Sequence, residues 1–138
     1  MIRNFSEMPR WLKLFTISGF AAVALVLLKP FSGVGVFGEH INLSTWWVSG
    51  AGLAFTLPAL MMGYSSILFL RRSQKGRIAY VVAWITMTLG AYMGVHLEHL
   101  NAVMLNSGLA FNAALTVGIV IYLYLNKAVR QYFISSAG

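Results

Sequence analysis

The sequence predicts an all-α integral membrane protein: four transmembrane helices in a compact bundle, with both termini cytoplasmic. Three observations predict it. Hydrophobic residues make up 59% of the chain and charged residues 9%, where a soluble domain carries about 25% charged residues. The mean hydropathy is +0.75, and 138 residues leave room for about four membrane helices of roughly 20 residues each. Finally, nine of the ten basic residues fall in the N-terminal segment, a central loop and the C-terminal tail. With four spans these three segments share one side, and an excess of Lys and Arg marks the cytoplasmic side.

The first apolar run, "WLKLFTISGFAAVALVLL", covers 11–28. Arg3, Arg10 and Lys13 before it have the form of a signal-peptide n-region. The run is as long as a span, however, and "LLKPFSG" offers no small-x-small cleavage site, so an uncleaved first helix is expected. Lys29 and Pro30 end it. The outer loop 29–44 contains Gly33, Gly35 and Gly38 among alternating apolar residues and reads as a hairpin-like segment rather than a helix. The second span is 45–70. Trp46 and Trp47 suit an interfacial aromatic belt, and Pro58 near its middle predicts a kink. The basic inner loop 71–77, "RRSQKGR", leads into a third span over 78–97. "NSG" at 106–108 breaks the chain before a fourth span over 108–125. The tail beyond carries Lys127 and Arg130, and places Val129, Tyr132 and Phe133 at the lipid surface. The 138 residues form a single transmembrane domain.

In lipid, helices associate through close packing of small residues. Gly63, four residues after Ala59, supplies such a face on the second span. Gly90 and Gly94 do so on the third, and Ala110, Ala114 and Gly118 on the fourth. These faces read first as packing within one bundle and second as contacts with another copy or another protein. Thr86, Thr88, Asn112 and Thr116 read as groups that bond across helices or back to their own backbone. No charged residue falls deep within a span, which argues against a proton-coupled carrier or an ion pump.

The stretch "AYMGVHLEHLN" at 91–101 holds two of the three histidines and one of the three acidic residues. From Ile78 to His96 a helix rises roughly 28 Å, close to the ~30 Å hydrocarbon core. The stretch therefore reads as the wet outer end of the third helix. Tyr92, His96 and His99 share one helical stripe, and Glu98 lies on another. A metal reading gathers His40, His96 and His99, closed by Glu39 or Glu98, around zinc or copper. It is the lesser reading, because His-x-x-His on a helix has no fixed partner spacing. No cofactor is expected otherwise. Bis-histidine haem wants histidines from different helices at matched depth, and the fourth span has none.

Cysteine is absent, which removes disulfide, thiolate-metal and iron–sulfur chemistry. No Gly-x-Ser-x-Gly, paired carboxylates or phosphate loop is present, so no enzyme is expected. The net charge of +7 is accounted for by membrane topology, so no nucleic-acid partner is expected. The tail "YLYLNKAVRQYF" resembles in general form the aromatic-basic tails of small bacterial four-helix inner-membrane proteins, a likeness that carries over no functional residue. The leading expectation is a multi-pass inner-membrane protein whose partners are the lipid bilayer and another membrane or periplasmic protein, or itself. It would act as an accessory subunit or an inhibitor- or immunity-type partner. A small oligomeric transporter or channel is the first alternative, and a redox subunit using the outer histidines is the second.

Overall fold

The computed structural model describes residues 2–32, 34–36, 39–41, 43–48, 51–97 and 102–134. Among them the chain is helical apart from one short hairpin. Seven helices are present: α1 (Ile2–Ser6), α2 (Arg10–Ser32), α3 (Leu43–Val48), α4 (Ala51–Leu70), α5 (Lys75–Leu97), α6 (Ala102–Leu125) and α7 (Lys127–Ile134). The hairpin pairs β1 (Val34–Val36) with β2 (Glu39–Ile41) in antiparallel register, Gly35 facing His40. It stands in the glycine-rich segment where no helix was expected.

Helices occupy each of the four apolar runs, but their ends differ from the expectation. Helix α2 continues through Lys29 and Pro30 to Ser32. A proline forfeits one N–H bond and crowds the carbonyl four residues earlier, a local cost that falls two residues before the end of this helix. The second run is divided into α3 and α4, and Pro58 lies buried within α4. Asn106, Ser107 and Gly108 fall inside α6, because weak helix formers cost at most about 1 kcal/mol each and a long helix absorbs that.

By length and composition one helix segment, Arg10–Leu28, is apolar enough to cross a membrane among the described residues. There are two if the bent pair Leu109–Leu125 and Lys127–Ile134 is taken together. The apolar part of α4, Phe55–Leu70, is shorter.

Helix α4 is central, packing against α2 on one side and α5 on the other, and α6 packs on α5. The α2–α4 contact is backbone against backbone. A Cβ at Gly19 would stand 2.6 Å from the Met62 carbonyl oxygen and collide with the Ser66 hydroxyl. A Cβ at Gly63 would collide with the Val23 side chain, with the Gly19 carbonyl 3.7 Å away. Each glycine is thus the notch into which the other helix fits.

The turn between α4 and α5 closes a helix C-terminus in a Schellman arrangement. Ser73 N donates to Leu68 O and Arg72 N to Phe69 O, each at 2.9 Å. The residue that must turn left-handed is Arg72, at φ 54°, a position where glycine is usual. Gly76 then lets α5 start close to α4, since a Cβ there would lie 2.9 Å from the Phe69 ring. The Ser65 hydroxyl donates to the Gly76 carbonyl at 2.7 Å.

Helix α7 corrects the reading of the tail. Val129, Tyr132 and Phe133 are buried against Met8, Leu12, Phe69 and Leu123. The chain bends by 56° between α6 and α7. Asn126 makes the bend, its side-chain oxygen accepting from the Ala128 and Val129 amides at 3.0 and 3.2 Å. Capped this way, α7 turns its apolar face onto the helix ends and leaves Lys127, Arg130 and Gln131 exposed.

Candidate functional site

Two features stand out: a polar and aromatic closure at the basic end of the helices, and an open groove beside it.

At the basic end, α1, the 71–77 turn and α7 meet. Asn4 Nδ2 donates to the Leu70 carbonyl at 2.9 Å. The Tyr132 hydroxyl lies 3.0 Å from the Phe69 carbonyl and 3.2 Å from that of Asn4, its one proton shared between them. Arg72 pairs with Glu7 and stands 4.9 Å from the Tyr132 ring centroid. Burial pushes the Tyr132 hydroxyl above the ordinary tyrosine pKa, and the Arg72 guanidinium opposes that rise. Arg77 lies over the rings of Tyr124 and Phe133, at 4.9 and 5.1 Å, and donates to the Leu123 carbonyl at 3.2 Å. Arginine suits this role because its flat, weakly hydrated cation stacks on aromatic faces. The three segments that carry nine cations are thus joined at one end of the helices, with Glu7 the carboxylate among them.

The groove measures about 560 Å³. Helix α2 contributes Trp11, Leu14, Phe15 and Ser18, and α6 contributes Phe111, Ala114, Leu115, Gly118 and Ile119. Tyr80 and Trp84 of α5 form its floor. Phe15 stacks on Tyr80 with centroids 5.3 Å apart and meets Tyr122 edge-on at 5.5 Å. The Ser18 hydroxyl donates to the Phe15 carbonyl at 2.9 Å, so Tyr80 is the donor in the 3.1 Å contact between their hydroxyls. Trp84 Nε1 is buried without a hydrogen-bond partner among the described residues. A Cβ on Gly118 would meet nothing within 4 Å. The site is a lipophilic slot with aromatic walls. Ser18 and Tyr80 bring hydroxyl groups to its lining.

Helix α6 is tied to α5 by Asn112 Nδ2, which donates to Thr88 Oγ1 at 3.0 Å, in addition to the Arg77 bond to the Leu123 carbonyl. Thr88 and Thr116 each bond back to the carbonyl four residues earlier, at 2.8 Å.

The small residues singled out from sequence fall in different places. Gly63 lies in the α2–α4 contact. Gly90 is half-buried on α5, and Gly94 is within the same helix. Ala110, Ala114 and Gly118 lie on an exposed face of α6. Of the metal candidates, Glu39 and His40 are in β2 and His96 is in the last turn of α5, whereas Glu98 and His99 lie outside the described residues. No group of three metal-ligating side chains occurs among the described residues.

Sequence reasoning missed Gly19, the groove floor and the Arg72–Tyr132 closure. The available signals were Tyr80 and Trp84 four apart on α5, and Phe15 and Ser18 three apart on α2. Neither reveals that the two stripes face one another. No protein-family model, no curated protein and no solved structure matches the chain.

Proposed function

We propose that this chain is a multi-pass membrane protein of the inner membrane, spanning it four times with both termini cytoplasmic. It acts without catalysis, by binding another membrane or periplasmic protein as an accessory or inhibitory subunit. What supports the membrane reading is the outer surface. Large apolar side chains are exposed on every long helix, among them Leu25, Leu53, Ile78, Leu89 and Phe111. A soluble monomer rarely leaves so much contiguous apolar surface bare. What supports a shared side for both termini is the meeting of α1, the basic turn and α7 at one end.

The observation that carries the binding reading is the sparse packing of α6. Among its described residues only Ile119 and Leu123 are buried. The face carrying Ala110, Ala113 and Ala114 is open, and small residues in lipid permit the close approach of another helix.

Photo-crosslinking side chains at Ala110 and Ala113, in intact cells, test this. A discrete adduct with one polypeptide is expected from both positions and not from Leu25 on α2. Equal or absent adducts at all three would overturn the reading.

A further inference from the structure

We propose that the groove between α2, α5 and α6 binds an anionic phospholipid of the cytoplasmic leaflet, its acyl chain against Trp84 and Gly118 and its headgroup against Arg10. The inference rests on the membrane-spanning reading but not on the protein partner; Ala114 is common to both faces of α6, whereas Ala110 and Ala113 lie outside the groove lining.

The depth of the groove fits one leaflet. From Trp11 to Ser18 the wall rises about 10 Å, within the roughly 15 Å that half of a hydrocarbon core provides. It begins at the basic end, where the cytoplasmic headgroups would lie. Its 560 Å³ falls in the range of small-ligand sites, about 300–1,000 Å³. An acyl chain, a single file of methylenes much thinner than a helix about 10 Å across, suits a slot lined by apolar and aromatic side chains.

Charge selects the headgroup. Arg10, Leu14 and Ser18 are four apart and share one stripe of α2, so Arg10 stands one turn beyond Leu14, at the basic end of the groove wall. It is exposed and makes no ion pair among the described residues. Arg77 stands on the basic side of Tyr80, one turn before it on α5, and adds positive potential while bonded to Leu123 and Gln74. An anionic headgroup complements this rim, and a zwitterionic one does so only in part.

Trp84 on the groove floor is the reporter. The variant carrying Trp11→Phe, Trp46→Phe and Trp47→Phe retains it as the single tryptophan. The variant is reconstituted in phosphatidylcholine vesicles containing a small fraction of phosphatidylglycerol or phosphatidylcholine with brominated acyl chains. Brominated phosphatidylglycerol is expected to reach Trp84 about fivefold more effectively, the enrichment one basic residue supplies at an anionic headgroup. Arg10→Gln should remove that excess from the headgroup side. Gly118→Leu should remove it from the chain side, its side chain entering open space without disturbing the fold. Equal quenching by the two lipids, or an excess that survives both substitutions, overturns the proposal while leaving the membrane reading intact. Quenching by neither lipid overturns both. A two-chain species crosslinked in the vesicles and abolished by Gly118→Leu would assign the groove to a second copy and overturn it as well.

Discussion

The Tyr132 hydroxyl lies 3.2 Å from the Asn4 carbonyl, joining residues 128 positions apart near the two ends of the chain. The same hydroxyl reaches Phe69 O beside the α4–α5 turn. One phenol therefore ties together the three basic segments, and its removal is a direct test of the closure. Tyr132→Phe keeps the ring contacts with Phe133 and Arg72 and loses only the hydrogen bonding. A loss of about 1 kcal/mol in stability is expected, read as a lower thermal midpoint in detergent.

The same residue sets a pH dependence. Burial raises the Tyr132 pKa above its ordinary 10.0, so the folded chain holds the phenolic proton more tightly than the unfolded chain. That contribution is complete below the unfolded pKa and is lost as pH rises through the folded one. The phenolate would also face two carbonyl oxygens. The midpoint of the parent chain should fall on alkaline titration beyond about pH 10, and Tyr132→Phe should show less of that fall.

Arg72 combines a backbone cost with side-chain gains. Its left-handed φ of 54° costs an L-residue roughly 1–2 kcal/mol relative to glycine. Its side chain offsets this through Glu7 and the Tyr132 ring. Arg72→Ala keeps the cost and loses the contacts, whereas Arg72→Gly loses both. The glycine variant is expected to be the more stable of the two by about 1 kcal/mol. An alanine variant of equal or higher thermal midpoint would contradict the strained-turn reading.

Glycine at 19 and glycine at 118 should respond oppositely to a methyl group. Gly19→Ala drives a Cβ to 2.6 Å from the Met62 carbonyl oxygen, a main-chain atom that yields only if α2 and α4 separate. The expected cost is about 1–3 kcal/mol. Gly118→Ala meets nothing within 4 Å and should leave the midpoint unchanged or slightly raised, since alanine is the better helix former. Chemical denaturation of the two variants side by side reads the difference.

Membrane topology has its own test. Lys75 lies in the basic segment at the start of α5 and Ser44 in α3, and both are exposed. A membrane-impermeant thiol reagent added to intact cells should label Ser44→Cys and spare Lys75→Cys. The reverse pattern would place the termini outside.

Hydrophobic run length and the positions of Lys and Arg were enough to place helices on the four apolar stretches, because the helical period and the solvation of charge are local properties of the chain. Gly35 likewise marked a non-helical stretch, the strand β1. Element ends were less legible: Pro30 and the run Asn106–Gly108 read as breaks, yet long helices carried through them at a cost of a few local bonds. Three decisions belonged to tertiary structure alone. Val129, Tyr132 and Phe133 form an apolar stripe that suits lipid or a protein interior equally well, and only the 56° bend at Asn126 turns it onto Phe69. Small residues recur on several faces of the chain, and only the crossing of α2 and α4 selects Gly19 and Gly63 as the notches. The groove exists because α2 and α6 flank α5 without closing over Trp84, a relation among residues on three different helices that no spacing within one helix encodes.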